Sequence, residues 1–225
     1  MIKSEIRDAS SVIIVRRDGP KPAVLLGQRG KSAIFMPNKF VFPGGAVDQN
    51  DFNVSLGDEP NPTCSRRLRE HSNIKNTNAF FCAAIREVWE ETGLMFGKKC
   101  KDNIEEFPAT EWKAFYDLGL TPCAEGFHFI FRAITPPNRS RRFDARFFLV
   151  DASKISGNLD DFSKASDELS HLQWFTIKEA HKLDLPFITE IILAEVETLV
   201  NNFKCPSSVP FFNNSTEKSE FIQIS

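Results

Sequence analysis

The apolar positions of this chain follow two rhythms, a short alternating one and a longer helical one. Residues 11–17 (SVIIVRR) and 23–29 (AVLLGQR) are brief, β-branched apolar runs. The Asp18-Gly19-Pro20 turn signal between them predicts two successive strands. Residues 39–42 (KFVF) predict a third, stopped by Pro43-Gly44-Gly45. Residues 126–134 (GFHFIFRAI) and 145–152 (ARFFLVDA) predict paired strands across the basic connector PPNRSRRFD, and residues 171–177 (HLQWFTI) one more. The helical rhythm starts at Thr77 or Asn78, either of which can cap it, and runs through AFFCAAIREVWEET to Gly93 as terminator. Further helices are expected over 103–118, with Trp112 and Phe115 on one side, in KEAHKL, and from Pro186 to about residue 203.

Residues 46–76 break the pattern. They are rich in Asp, Asn, Pro and Ser, carry a basic patch at Arg66, Arg67 and Arg69, and read as a long inserted loop with one short helix. From Pro206 the chain turns polar, so a frayed tail is expected over about 206–225. Strands and helices mix without regular βαβ alternation. That predicts an α+β fold with α/β/α layers and a mixed central sheet, in one domain spanning 1–225.

Composition narrows the function classes. With 225 residues, 41% of them hydrophobic, the chain can bury a full core. A net charge of −2 gives no reason to expect nucleic-acid binding by counterion release. Most of the 22 phenylalanines are expected inside, as are Trp89 and Trp174, and His128 reads as structural or exposed. The five cysteines (Cys64, Cys82, Cys100, Cys123, Cys205) are odd in number, widely spaced and without a CxxC pair. That spacing suits reduced thiols in a cytoplasmic protein rather than a disulfide scaffold or a zinc site. MIKSEIRDASS lacks a signal-peptide core, no apolar run approaches the roughly 20 residues a bilayer span needs, and the closing QIS matches no sorting signal. No membrane partner is expected.

The chemistry concentrates in REVWEETGL, residues 86–94. On a helix, Glu87, Glu90 and Glu91 share one face. Three carboxylates there repel one another, and they sit near the C-terminal end, where the helix dipole also disfavours anions. A solvated acidic face bridged by Arg86 to Glu90 is one reading. A divalent cation is the other, because carboxylate oxygens are what hard cations prefer. Gly44-Gly45 at a strand end leaves bare backbone that can approach a metal or a phosphate.

FPGG followed by REVWEETGL resembles the Nudix box. That family's pattern is glycine, five residues, Glu, seven residues, then Arg-Glu-apolar-x-Glu-Glu-x-Gly-apolar. Arg86, Glu87, Val88, Glu90, Glu91, Gly93 and Leu94 match the second half, and Gly45 is the first glycine. Six residues after Gly45 stands Asp51 rather than Glu, and eight before Arg86 stands Asn78. Arg86 follows Gly45 by 41 positions (86 − 45) where the pattern has 14, so about 27 residues are inserted. Asp48 or Asp51 is expected to replace the missing acid, whose family role is to brace the arginine. The interrupted box, with VFPGGAVD before it and RRFDARFF after it, resembles the coenzyme A diphosphatase-like branch. Arg29 matches one arginine of that branch's signature, while its second arginine is missing.

The resemblance implies the α/β/α fold and a hydrolase that cleaves the diphosphate of a small nucleotide derivative, coenzyme A or its esters among them. It implies Mg²⁺ or Mn²⁺ on Glu87, Glu90, Glu91 and the Gly44 carbonyl, with Arg86 orienting the glutamates. Glu87, or Glu168 in SDELSHLQW, then accepts a proton from water. Gly44, Gly45, Arg29, Arg142 and Arg146 are expected on the substrate, the last two within the basic group Arg139, Arg141, Arg142 and Arg146. Arg66, Arg67 and Arg69 form an alternative anion site. Homodimers are frequent in the family. Two other readings stay open: a Nudix-fold nucleotide sensor that does not cleave, and a diphosphatase acting on ADP-ribose, NADH or dinucleoside polyphosphates. RNA-directed chemistry is disfavoured by the near-neutral charge.

Overall fold

Strand β1 (Ile6–Arg16) runs through the middle of a mixed sheet, and its sequence says why. Val12, Ile13, Ile14 and Val15 are all fully buried, as a strand covered on both faces requires. Alternation sends Val12 and Ile14 into one core and Ile13 and Val15 into the other. The structure, a computed structural model, describes residues 5–99, 110–201 and 203–225.

The remaining elements follow in chain order. They are β2 (Ala23–Arg29), β3 (Phe40–Val41), β4 (Gly44–Ala46), α1 (Pro62–Arg69), α2 (Asn78–Thr92), β5 (Gly97–Lys99), α3 (Lys113–Asp117) and β6 (Leu120–Pro122). Then come β7 (His128–Ile134), β8 (Arg142–Asp151), β9 (Leu169–Thr176), α4 (Ile177–Ala180), α5 (Phe187–Leu199), β10 (Val209–Asn213) and β11 (Glu220–Ile224). The large sheet has the order β11-β10-β7-β8-β1-β2-β3, with β4 also on β1 and β9 also on β2. Strand β8 runs parallel to β1 and antiparallel to β7. Helix α2 supplies Phe81, Ala84, Ile85 and Val88 to the core on one face, and α5 supplies Ile192, Leu193 and Val196 on the other. These are the expected α/β/α layers.

All six expected strands form, and Gly93 ends α2 in the left-handed conformation (φ 75°) with its N–H on the Trp89 carbonyl. Trp112 and Phe115 are fully buried, while the first part of the expected 103–118 helix lies outside the described residues, as does Cys100. Helix α5 starts after Pro186 as expected but stops at Leu199.

One expectation fails. The segment read as a frayed tail is a hairpin, β10–β11, that extends the central sheet by parallel pairing of β10 with β7. Val209, Phe211 and Ile224 are buried there, so the polar loop residues around them masked an alternating strand pattern. The insertion contains the one short helix expected of it, and it also packs onto the core. A 3-10 turn (Gln49–Asn53) and α1 lie within it, and Val54, Cys64 and Leu68 enter the main core.

The hairpin is expected to be integral to stability. Phe211→Ala removes a buried ring on which the Arg132 guanidinium stacks at 4.2 Å. It should cost about 3–5 kcal/mol in urea denaturation, whereas a dispensable tail would leave the midpoint unchanged.

Candidate active site

One edge of β1 serves two partners, and that split creates the site. Val15 and Arg16 pair with β2, while Ala9, Ser10 and Ser11 pair with Ala46, Gly45 and Gly44 of β4. The chain between β3 and β4 therefore turns against β1, directly under α2. Gly44 has φ +155°, and a Cβ there would sit 2.4 Å from the Ser10 carbonyl. At Gly45 a Cβ would lie 2.4 Å from the Glu87 carboxylate. Only glycine lets strand and helix approach so closely.

Into that gap α2 projects its glutamates. Glu91 is buried and accepts a hydrogen bond from the Gly44 amide at 2.8 Å. Glu87 is nearly buried and Glu90 half-exposed. Arg86 joins the last two: its Nη1 donates to Glu87 at 2.8 Å and to Glu90 at 3.1 Å. The other side of the guanidinium donates to Asp51, Nε to Oδ1 and Nη2 to Oδ2, both at 3.0 Å, and to the Ala46 carbonyl at 2.9 Å. Asp51 is fully buried. Of the two candidate replacements for the missing acid, Asp51 is thus the one that meets Arg86. Asp48 instead caps the 3-10 turn, accepting from Asn50 N, and its own amide donates to Asp51.

Burial dominates the electrostatics. It raises the Glu87 pKa to about 7, outweighing the opposing pull of Arg86. It raises Glu91 well above the ordinary carboxylate range, and the neighbouring Glu87 adds to this. Glu90 is raised too, again chiefly by burial. Burial works against the charge of Arg86, but Asp51, Glu87 and Glu90 more than offset it, so its pKa lies above the ordinary arginine value. Two buried carboxylates side by side with one arginine form an underneutralised, oxygen-only donor set, which fits a hard divalent cation.

The other residues expected here divide. Glu168 lies in the loop before β9, and Arg29 Nη2 donates to it at 3.2 Å. Glu168 is near enough to push Glu87 and Glu91 upward, so it and Arg29 border the cluster. Arg142 and Arg146 do not. Arg146 is buried, bonded to Asp8 and to the Asp144 carbonyl (2.7 Å), with its guanidinium 4.2 Å over the Phe80 ring. Arg142 is buried and donates to the carbonyls of Thr135 (3.0 Å) and Asn214 (2.7 Å), which fastens the C-terminal hairpin. The expectation that these two bind substrate is corrected: basic residues in a sequence look alike whether solvent or carbonyls surround them. Arg67 of the alternative anion group is likewise committed, to the Pro206 and Ser207 carbonyls. Ser10, which no motif flags, ties β1 to α2 through Oγ and the Phe80 carbonyl at 2.8 Å.

The raised carboxyls fix the sign of a pH effect. Between about pH 4.5 and 7 the folded chain retains a proton on Glu87 that the unfolded chain has released. Glu87 should therefore make the stability of the metal-free chain fall as pH rises through that window, and its contribution should level off above it. Glu87→Gln should flatten the slope. Thermal melts in chelator across pH 4.5–8 check this, and an unchanged slope in the variant would contradict the assignment.

No protein-family model matches the chain. A Caenorhabditis elegans protein designated nudix hydrolase 7 is 31% identical over 187 residues, covering 79% of this chain and 54% of that protein. The acyl-coenzyme A diphosphatase NUDT19 of Xenopus laevis is 24% identical over 218 residues, covering 72% of this chain and 56% of that one. The chain thus spans about half the length of these curated relatives. Among solved structures, a NUDIX hydrolase from Alicyclobacillus acidocaldarius shares the fold with a TM-score of 0.62, at 23% identity over 85% of this chain and 90% of that one.

Proposed function

From the premise that this chain belongs to the Nudix family, we propose that it hydrolyses the diphosphate linkage of a small nucleotide derivative with the help of a divalent cation. The observation that carries this reading is the packing of Glu87 and Glu91 against Gly44-Gly45, with Arg86 clamped between Asp51 and the acidic stripe. In the reaction, water attacks one phosphorus, the bridging P–O bond breaks, and the departing phosphate ester keeps the electron pair.

Glu87, Glu90, Glu91 and the Gly44 carbonyl are the groups that would hold Mg²⁺ or Mn²⁺. Bound there, the cation would neutralise the diphosphate and acidify the attacking water. Arg86 orients two of those carboxylates and is itself oriented by Asp51. With the stripe engaged, Glu168 is the neighbouring carboxylate left to accept the water's proton. Arg29, paired with it, offers a cation to the substrate. A cytoplasmic setting belongs to the same reading, supported by the free cysteines Cys64, Cys82, Cys123 and Cys205. No helix among the described residues is long and apolar enough to cross a membrane.

Glu91→Gln or Glu90→Gln should lower kcat by roughly 100-fold or more while the far-ultraviolet circular dichroism stays unchanged. Glu168→Gln should lower kcat by about 100-fold without weakening cation binding. Full turnover in that variant would move the proton acceptor to Glu87.

Coenzyme A and its acyl esters are the substrates we put first, because a relative carrying that activity in its name aligns with most of the chain and Arg29 matches the branch's pattern. A panel of coenzyme A esters, ADP-ribose, NADH and dinucleoside polyphosphates with each cation tests this. Release of 3′,5′-ADP from coenzyme A supports it. Cleavage of another member alone would reassign the substrate. Tight nucleotide binding with no cleavage anywhere in the panel would make the protein a sensor.

A further inference from the structure

Away from the acidic site, the insertion completes a second cluster of ligand-type side chains. Cys64 lies on α1, His128 opens β7, and Cys205 lies between α5 and β10. One ligand atom from each, two sulfurs and an imidazole nitrogen, lie within 4.8 Å of one another. The sulfurs are 3.7 Å apart. A tetrahedral ion with metal–sulfur bonds of about 2.3 Å sets its two sulfurs about 3.8 Å apart. A disulfide requires about 2.05 Å, which would mean drawing two packed segments together.

Two further features suit a thiolate-bound ion. His128 Nδ1 is buried and has no hydrogen-bond partner among the described residues. A buried polar nitrogen in that state is costly, and coordination of the ring would account for it. Finally, both sulfurs already accept N–H donors: Cys64 from the Phe129 amide at 3.4 Å, Cys205 from Arg67 Nη1 at 3.5 Å. Such donors stabilise metal-bound thiolates. Arg67 is held in place by the Pro206 carbonyl at 2.6 Å.

We propose that Cys64, Cys205 and His128 bind a zinc-type divalent cation that staples the insertion to the core strand β7 and to the segment leading into the C-terminal hairpin. Binding breaks two S–H bonds, forms two metal–sulfur bonds and one metal–nitrogen bond, and releases two protons to solvent, with no redox change. The fourth coordination position is left to water. The site does not depend on the diphosphatase reading, because it shares no residue with the acidic stripe.

The test uses the full chain, stripped with chelator and titrated with cobalt(II) under reducing conditions. One equivalent should bring up thiolate-to-cobalt charge-transfer absorption and the visible bands of tetrahedral cobalt, and zinc should abolish both. Cys205→Ser and His128→Gln should each lose the charge-transfer signal, while Cys123→Ser and Glu91→Gln keep it. Cys64→Ser serves as a third variant, although Cys64 is fully buried and its loss could impair folding; the half-buried Cys205 and His128 decide the matter, with circular dichroism verifying their fold. Absence of the charge-transfer band, or its survival in Cys205→Ser, overturns the proposal. So does an aerobically prepared chain lighter by two hydrogens, with Cys64 and Cys205 joined in one peptide pair, which would make the cluster a redox couple.

Discussion

The Arg86 guanidinium is the contact on which the candidate site depends. It is buried, and every side of it is engaged: Asp51 in a two-point fork, the Ala46 carbonyl, then Glu87 and Glu90. A buried cation with these partners fixes three chain segments at once, namely the end of β4, the 3-10 turn of the insertion and the helix α2. Its charge opposes the upward push of burial on Glu87 without cancelling it, so the carboxylates stay raised and ready to take a cation in place of protons.

The backbone beneath follows from the same demand for close approach. Glu87 sits where a side chain on Gly45 would have to be, and Glu91 takes the amide of Gly44. Strand β1 makes this geometry available by sharing one edge between β2 and β4. The opposite edge is filled by β8 over ten registered positions, which anchors the centre of the sheet.

The insertion then takes on a definite structural meaning. It separates the two halves of the box in sequence but supplies Asp51 to the arginine, core side chains to α2, and Cys64 to a cluster completed by His128 and Cys205. It is held down by Arg67 on the Pro206 carbonyl and by Arg132, whose Nη1 and Nη2 reach the Glu70 and His71 carbonyls at 3.0 and 2.9 Å. Segments read as loop and tail thus brace each other.

The sequence by itself determined whatever rests on short-range periodicity. The strands, the extent and C-cap of α2, the layer class, and the shared face of Glu87, Glu90 and Glu91 were all legible, because strand and helix periods assign faces without knowledge of partners. What only the tertiary structure decided were matters of long-range neighbours. Asp48 and Asp51 look equivalent in sequence, and only packing puts Asp51 on Arg86. Arg142 and Arg146 read as anion binders until buried carbonyls and carboxylates are seen around them. The cysteine spacing could not show that Cys64, His128 and Cys205 lie together, because spacing sees neighbours within one segment and these come from three. Hydrogen-bond partners of buried polar groups are chosen by the folded arrangement of the whole chain, and local pattern carries no record of them.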